Sequence, residues 1–195
     1  VRQDRRLAAG LVVAGLVGLV ASAVLLIERI RVGEDSDYVP TCSINPIISC
    51  GSIMESAQAS LLGFPNPIIG VAAFPVVVAT GAALLGGARL PRWYWLGLQA
   101  GVTAALGLVA WLVFQSLYRI GALCPYCMVV WVVVIPTFWY VTLRNLASGV
   151  FGQKAASARG TTVMWEWHAP VLLSAYLLVI VLITVRFWSY WVTLL

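Results

Sequence analysis

The sequence predicts an all-α polytopic membrane protein, a single membrane domain over residues 1–195 with five transmembrane spans. Two observations predict it. Of the 195 residues, 62% are hydrophobic and only 10% charged, and the mean hydropathy is +0.96; a soluble domain carries roughly a quarter charged residues. Apolar runs near the roughly 20 residues that cross a bilayer also recur along the chain. The net charge of +5 does not point to nucleic acid, because the basic residues stand beside the apolar runs, where they set topology. The surroundings they imply are membrane lipid.

The first span, residues 7–27, follows Arg2, Arg5 and Arg6. Ala21-Ser22-Ala23 resembles a signal-peptide cleavage site, but the apolar run continues to Ile27, too long for a signal-peptide core. An uncleaved span is expected. Residues 28–66 form the longest polar interval, and its part from 31 to 66 is expected to cap the bundle. An interval that long needs structure of its own. Ser52-Ile53-Met54-Glu55 reads as a capping box opening a short helix. Ile53, Met54, Ala57 and Leu61 share a face, which would lay that helix on the membrane surface.

Pro65-Asn66-Pro67 restarts the chain as the second span, residues 68–85, with Asn66 placed as N-cap and Pro67 at the first helical position. A basic turn to Arg92 leads into the third span, 93–117, which carries Gln99 and a Gly97/Gly101 pair spaced for close helix approach. The fourth span, 124–143, opens at Cys124-Pro125-Tyr126-Cys127. A small-residue linker with Lys154 and Arg159 follows. His168, beside Trp165 and Trp167, reads as interfacial, and Met54 and Met128 as packing residues. The fifth span, 169–185, ends at Arg186 and an aromatic cluster suited to a membrane interface.

With the N-terminus cytoplasmic, that side receives Arg2, Arg5, Arg6, Arg89, Arg92, Arg144, Lys154 and Arg159. The other side receives Arg29, Arg31, Arg119 and Arg186. The excess predicts N-terminus in and C-terminus out of a plasma or inner membrane. All four cysteines then face outward, where disulfides form and persist.

The two cysteine pairs differ. Cys42 and Cys50 lie in a polar loop. Cys124 stands at a helix start, where unpaired N–H groups and the dipole favour a thiolate, and Cys127 is one turn along the same face. A mobile dithiol beside a fixed one suggests a relay, with a membrane quinone as electron sink. Two static structural disulfides would also fit an extracytoplasmic loop. Zinc is disfavoured by the spacing of Cys42 and Cys50, and a glutaredoxin-like reading by the lack of a βαβ pattern.

The ordered set Cys42, Cys50, Ser52, Asn66-Pro67-Ile68-Ile69-Gly70 and Cys124-x-x-Cys127 resembles the bacterial homologues of vitamin K epoxide reductase, over about residues 7–143. Cysteine order separates it from DsbB-type quinone reductases, whose C-x-x-C precedes the loop pair. The resemblance implies a four-helix bundle around a quinone (menaquinone, ubiquinone or a related vitamin K-type quinone), capped by the loop. It implies Cys124 and Cys127 as the active-site pair, with Cys127 nearest the quinone, and Cys42 and Cys50 as the shuttle pair. Asn66 matches the position that hydrogen-bonds a quinone oxygen. Trp131 stands where vertebrate members place a quinone-contacting Tyr; its indole N–H donates but cannot accept, so stacking and simple packing are both open. Many relatives carry a thioredoxin-like domain after the fifth span. This chain stops at Leu195, so the implied partner is a thioredoxin-fold, DsbA-like disulfide oxidase acting in trans on the way to the quinone pool. Net quinone or quinone-epoxide reduction is the rival purpose for the same residues.

Overall fold

The computed structural model describes residues 2–192 apart from 36, 46, 55, 62 and 153–158. Five helices are long and apolar enough to cross a membrane: α1 (Arg2–Glu34), α3 (Pro67–Leu85), α4 (Arg92–Gln115), α5 (Pro125–Ala147) and α7 (His168–Arg186). Shorter pieces are α2 (Cys50–Met54), α6 (Arg159–Glu166) and α8 (Trp188–Val192). The protein is an all-α polytopic membrane protein. Among the described residues, β-type pairing is limited to one parallel bridge between Ile48 and Leu123.

Helix α1 packs along α3 and against α5, and α4 packs against α5. The α1–α3 seam is tight because glycines remove side chains where the two backbones meet. A Cβ on Gly81 would lie 2.6 Å from the Ala8 carbonyl oxygen, and one on Gly15 2.6 Å from Val78. Gly18 faces the Phe74 ring, and Gly70 faces Ser22. The Gly97/Gly101 pair was expected to mark such an approach and does not. A Cβ at either position meets nothing within 4 Å, because both line a cavity instead.

Several polar side chains inside the bundle pair across helices. Gln99 donates to Thr142 (2.9 Å) and accepts from Asn145 (3.1 Å), and Asn145 also donates to the Trp95 carbonyl (3.3 Å). These bonds latch α4 to α5 in a medium without competing water. Pro136, inside α5, has no N–H for the carbonyl of Val132 four residues earlier. The Tyr176 hydroxyl of α7 donates to that carbonyl at 2.8 Å. At the other end of α7, Arg186 donates to the Leu117 carbonyl at 2.8 Å, placing the end of α7 beside the end of α4.

Several boundaries differ from expectation. Helix α1 runs past Ile27 to Glu34, since buried Glu28 finds hydrogen-bond partners in the following loop. Helix α5 continues past Arg144 to Ala147, and the expected linker ends in α6; Lys154 lies outside the described residues. Ser52 does not cap a helix, because it sits inside α2. The Ser49 hydroxyl accepts from the Ser52 N–H (3.4 Å), so the start lies three residues earlier. Glu55, the other half of the expected capping box, lies outside the described residues. Nor does the surface helix extend to Leu61, which is exposed: α2 is followed by a 3-10 turn, Ala57–Ser60.

Gly81→Ala is expected to destabilise by about 1–3 kcal/mol, the usual cost of overpacking. Gly101→Ala, facing open space, should stay within about 0.5 kcal/mol of the parent. Thermal unfolding in detergent checks both, and equal losses would refute the assignment of the tight seam to α1 and α3.

Candidate functional site

The loop after α1 and the start of α5 are stitched together by main-chain bonds. The turn Ser116–Ile120 closes with the Gly121 N–H donating to the Ser116 carbonyl (2.9 Å). Gly121 has φ +73°, a left-handed conformation that favours glycine. The chain then extends, and the Leu123 N–H donates to the Ile47 carbonyl (2.7 Å) while the Leu123 carbonyl accepts from the Ser49 N–H (3.0 Å). The Asn45 side-chain oxygen shapes the other strand, accepting from the N–H groups of Ile47 (3.0 Å) and Ile48 (2.7 Å). Cys50 follows Ser49 and Cys124 follows Leu123, so the bridge delivers one cysteine from each pair to the same place.

The sulfurs meet there. Cys42 and Cys50 form a disulfide with Cα atoms 5.6 Å apart, and Cys124 and Cys127 are free thiols. Cys124 Sγ lies 3.1 Å from Cys50 Sγ, within the roughly 3–3.5 Å of a near-attack contact. The sulfurs of Cys42, Cys50 and Cys124 all lie within 4.8 Å of one another, packed with Leu25 and Met54. Cys124 is the N-cap of α5, its sulfur accepting from the Cys127 N–H at 3.5 Å, with Pro125 in the first helical turn. A hydrogen bond from the Cys127 thiol holds the Cys124 thiol below its ordinary pKa, with help from the backbone N–H groups of Cys127 and Tyr126 and against the effect of burial. Cys124 therefore carries more thiolate character than an ordinary cysteine.

Glu28 was not singled out in the sequence, and it anchors the same loop. It is 4% exposed, and its carboxylate accepts from the Thr41 hydroxyl (2.9 Å), the Thr41 N–H (3.3 Å) and the Tyr38 hydroxyl (3.1 Å). Thr41 precedes Cys42, so the carboxylate fixes the chain at the first cysteine of the loop pair. No sequence signal set it apart, since charges such as Glu28, Arg29 and Arg31 ordinarily follow the end of an apolar run.

Beneath the sulfurs lies a cavity of about 510 Å³ between α3 and α4. These helices are consecutive in the chain, yet they do not pack closely on each other. Thr80 and Tyr94 share a 2.6 Å hydrogen bond at the end remote from the cysteines. Cys50, Cys124, Cys127, Asn66 and Trp131 all line the cavity, so the predicted site residues converge except Cys42, which is held one bond away. Asn66 does not act as the expected N-cap. Its backbone is helical and its side chain makes no cap bond, because the Ile68 and Ile69 N–H groups already donate to the carbonyls of Pro65 and Asn66. The side chain instead accepts from the Leu61 N–H (3.0 Å) and donates to the Gln58 carbonyl (2.7 Å). One amide N–H is left over.

Residues 10–142 match the pattern of the vitamin K epoxide reductase family. The chain belongs to that family. No curated protein matches the chain. Membership makes it a membrane oxidoreductase of a quinone-linked kind, and the matched residues include all four cysteines, Asn66 and Trp131.

Glu28→Ala leaves the Thr41 N–H and the Tyr38 hydroxyl without their acceptor, at about 1–3 kcal/mol for each group that stays buried. The expected outcome is a lower unfolding midpoint and faster alkylation of Cys42 after reduction, with Glu28→Gln milder on both. An unchanged alkylation rate in Glu28→Ala would show that the carboxylate does not hold this loop.

Proposed function

We propose that the protein is a thiol–disulfide:quinone oxidoreductase that supports disulfide formation, passing electrons from a DsbA-like partner through Cys42–Cys50 to Cys124–Cys127 and on to a membrane quinone. The 3.1 Å approach of Cys50 and Cys124 sulfurs carries this reading. Static structural disulfides would pair each cysteine once and need no such contact between pairs.

The exchange balances as follows. A partner thiolate attacks Cys42 Sγ, breaking the Cys42–Cys50 bond and leaving Cys50 as thiolate. Cys50 attacks Cys124 of a Cys124–Cys127 disulfide and releases Cys127. The partner's second thiol closes its own disulfide and frees Cys42, which re-forms the bond to Cys50 and releases Cys124. The net result is one partner disulfide, with two electrons and two protons held on Cys124 and Cys127. The observed pairing, Cys42 with Cys50 bonded and Cys124 with Cys127 free, corresponds to that loaded state. The Cys127 hydrogen bond that holds the Cys124 thiol below its ordinary pKa favours its departure in the last step.

A quinone, when bound, supplies the acceptor for that electron pair. The cavity fits one: its walls are overwhelmingly apolar, with a few polar groups near the thiols. Cys127 would face it, Asn66 would offer its spare N–H to a quinone oxygen, and Trp131, 4% exposed in the wall, would pack or stack against the ring.

Replacing both Cys42 and Cys127 by Ser removes the exits from the mixed disulfide. A Cys50–Cys124 link should then accumulate on mild oxidation, and peptide mapping that finds two free thiols would overturn the relay. The site is proposed to face outward across a plasma or inner membrane, on the support of the basic-residue asymmetry. After reduction, an impermeant maleimide should label the cysteines in intact cells, whereas labelling only in opened membranes would reverse that orientation.

A further inference from the structure

At the end of the bundle remote from the cysteines, a second recess of about 200 Å³ is lined by Arg92, Trp95, Arg144, Ser148 and Val150. Two guanidinium groups share it. Arg92 is pinned through Nε, which donates to the Val150 carbonyl at 2.8 Å. Arg144 lies 3.5 Å over the Trp95 ring and donates to the Asn145 side-chain oxygen at 3.3 Å. Asp4 of α1 acts on Arg144 through space. Among the described residues, Arg92 donates to a backbone carbonyl and Arg144 to an amide oxygen, both neutral acceptors.

The Trp95 ring, 1% exposed, forms the apolar floor under the Arg144 guanidinium. Arg92 also opens α4, a helix of 24 residues, where the Tyr94 and Trp95 N–H groups donate to the Pro91 carbonyl, the Arg92 and Trp93 N–H groups precede any helical acceptor, and the dipole favours an anion. A stacked arginine beside an arginine pinned through Nε suits the oxygens of a phosphate group. The recess sits where one membrane-length helix begins and its neighbour ends, and basic pockets between the ends of membrane spans bind anionic headgroups.

We infer that this recess binds the phosphate of an anionic glycerophospholipid, with Arg92 and Arg144 as its ligands and the acyl chains against the bundle exterior. The inference is independent of the redox reading, since the recess is walled by the start of α4 and the end of α5, far along both helices from Cys124.

The test is native mass spectrometry of the purified full chain with phosphatidylglycerol or phosphatidylcholine. The parent should retain phosphatidylglycerol in preference to phosphatidylcholine, and that preference should fall roughly fivefold for each arginine removed. Arg92→Gln leaves the Arg144–Trp95 stack in place and is the first variant; Arg92→Gln with Arg144→Gln is the second. Arg144→Lys, which retains charge but not the fork, separates loss of recognition from loss of packing and should keep part of the preference. Millimolar inorganic phosphate is the competing arm. Failure to displace the lipid supports the headgroup, whereas full displacement overturns it in favour of a soluble phosphate. No lipid preference in the parent, or the same preference in a folded Arg92→Gln variant, would overturn the site.

Discussion

The parallel bridge between Ile48 and Leu123 is the constraint on which the rest of the site depends. It is only two main-chain hydrogen bonds, but it joins a loop to the start of a membrane helix 75 residues away in the chain. Everything around it serves to hold those two strands in line. Asn45 turns the loop strand, Gly121 turns the other, and the buried Ser116 hydroxyl donates to the Ala122 carbonyl. The disulfide and Met54 then close over the junction. Side chains at positions 50 and 124 meet because their backbones are already paired, not because the sulfurs attract one another.

The bundle below is organised by what is left out between helices. On the α1–α3 seam, glycines let the backbones approach, and ordinary dispersion contacts hold them. Between α3 and α4 the same residue type has the opposite consequence. Gly97 and Gly101 have no neighbour to admit, so their missing side chains become open volume. Apolar residues cannot report this difference by type alone, since a lipid-facing, cavity-facing and helix-facing glycine share one letter.

That distinction marks how far the sequence could be read. The five spans were legible because span length and hydropathy are set by the bilayer itself, and residues 10–142 carried enough ordered motif to fix the family. The proximity of the two cysteine pairs was legible as an expectation from their order. The bridge was not, because main-chain pairing leaves no residue signature at Ile48 or Leu123. Asn66 shows a third case. Its neighbour Pro67 does stand at the first helical position, yet the amide turns back to Gln58 and Leu61, because upstream carbonyls had already taken the donors a cap would serve. Glu28 was hidden by its position at the end of an apolar run, where a charge reads as an ordinary boundary.

The two tethers of the loop are unequal, and that inequality has a kinetic meaning. Cys50 is held by the backbone bridge on one side and opens α2 on the other, whereas Cys42 is held through a carboxylate on another helix. Once the bond between them opens, Cys50 remains opposite Cys124 at a high effective concentration, so their encounter is intramolecular and needs no search. Cys42 stands one residue after Thr41, which Glu28 holds, in a turn closed by the Ser43 N–H on the Pro40 carbonyl. Under the relay proposed above, the one bimolecular step would be the arrival of an outside thiol at Cys42, so turnover would scale with the supply of partner rather than with any motion of the bundle.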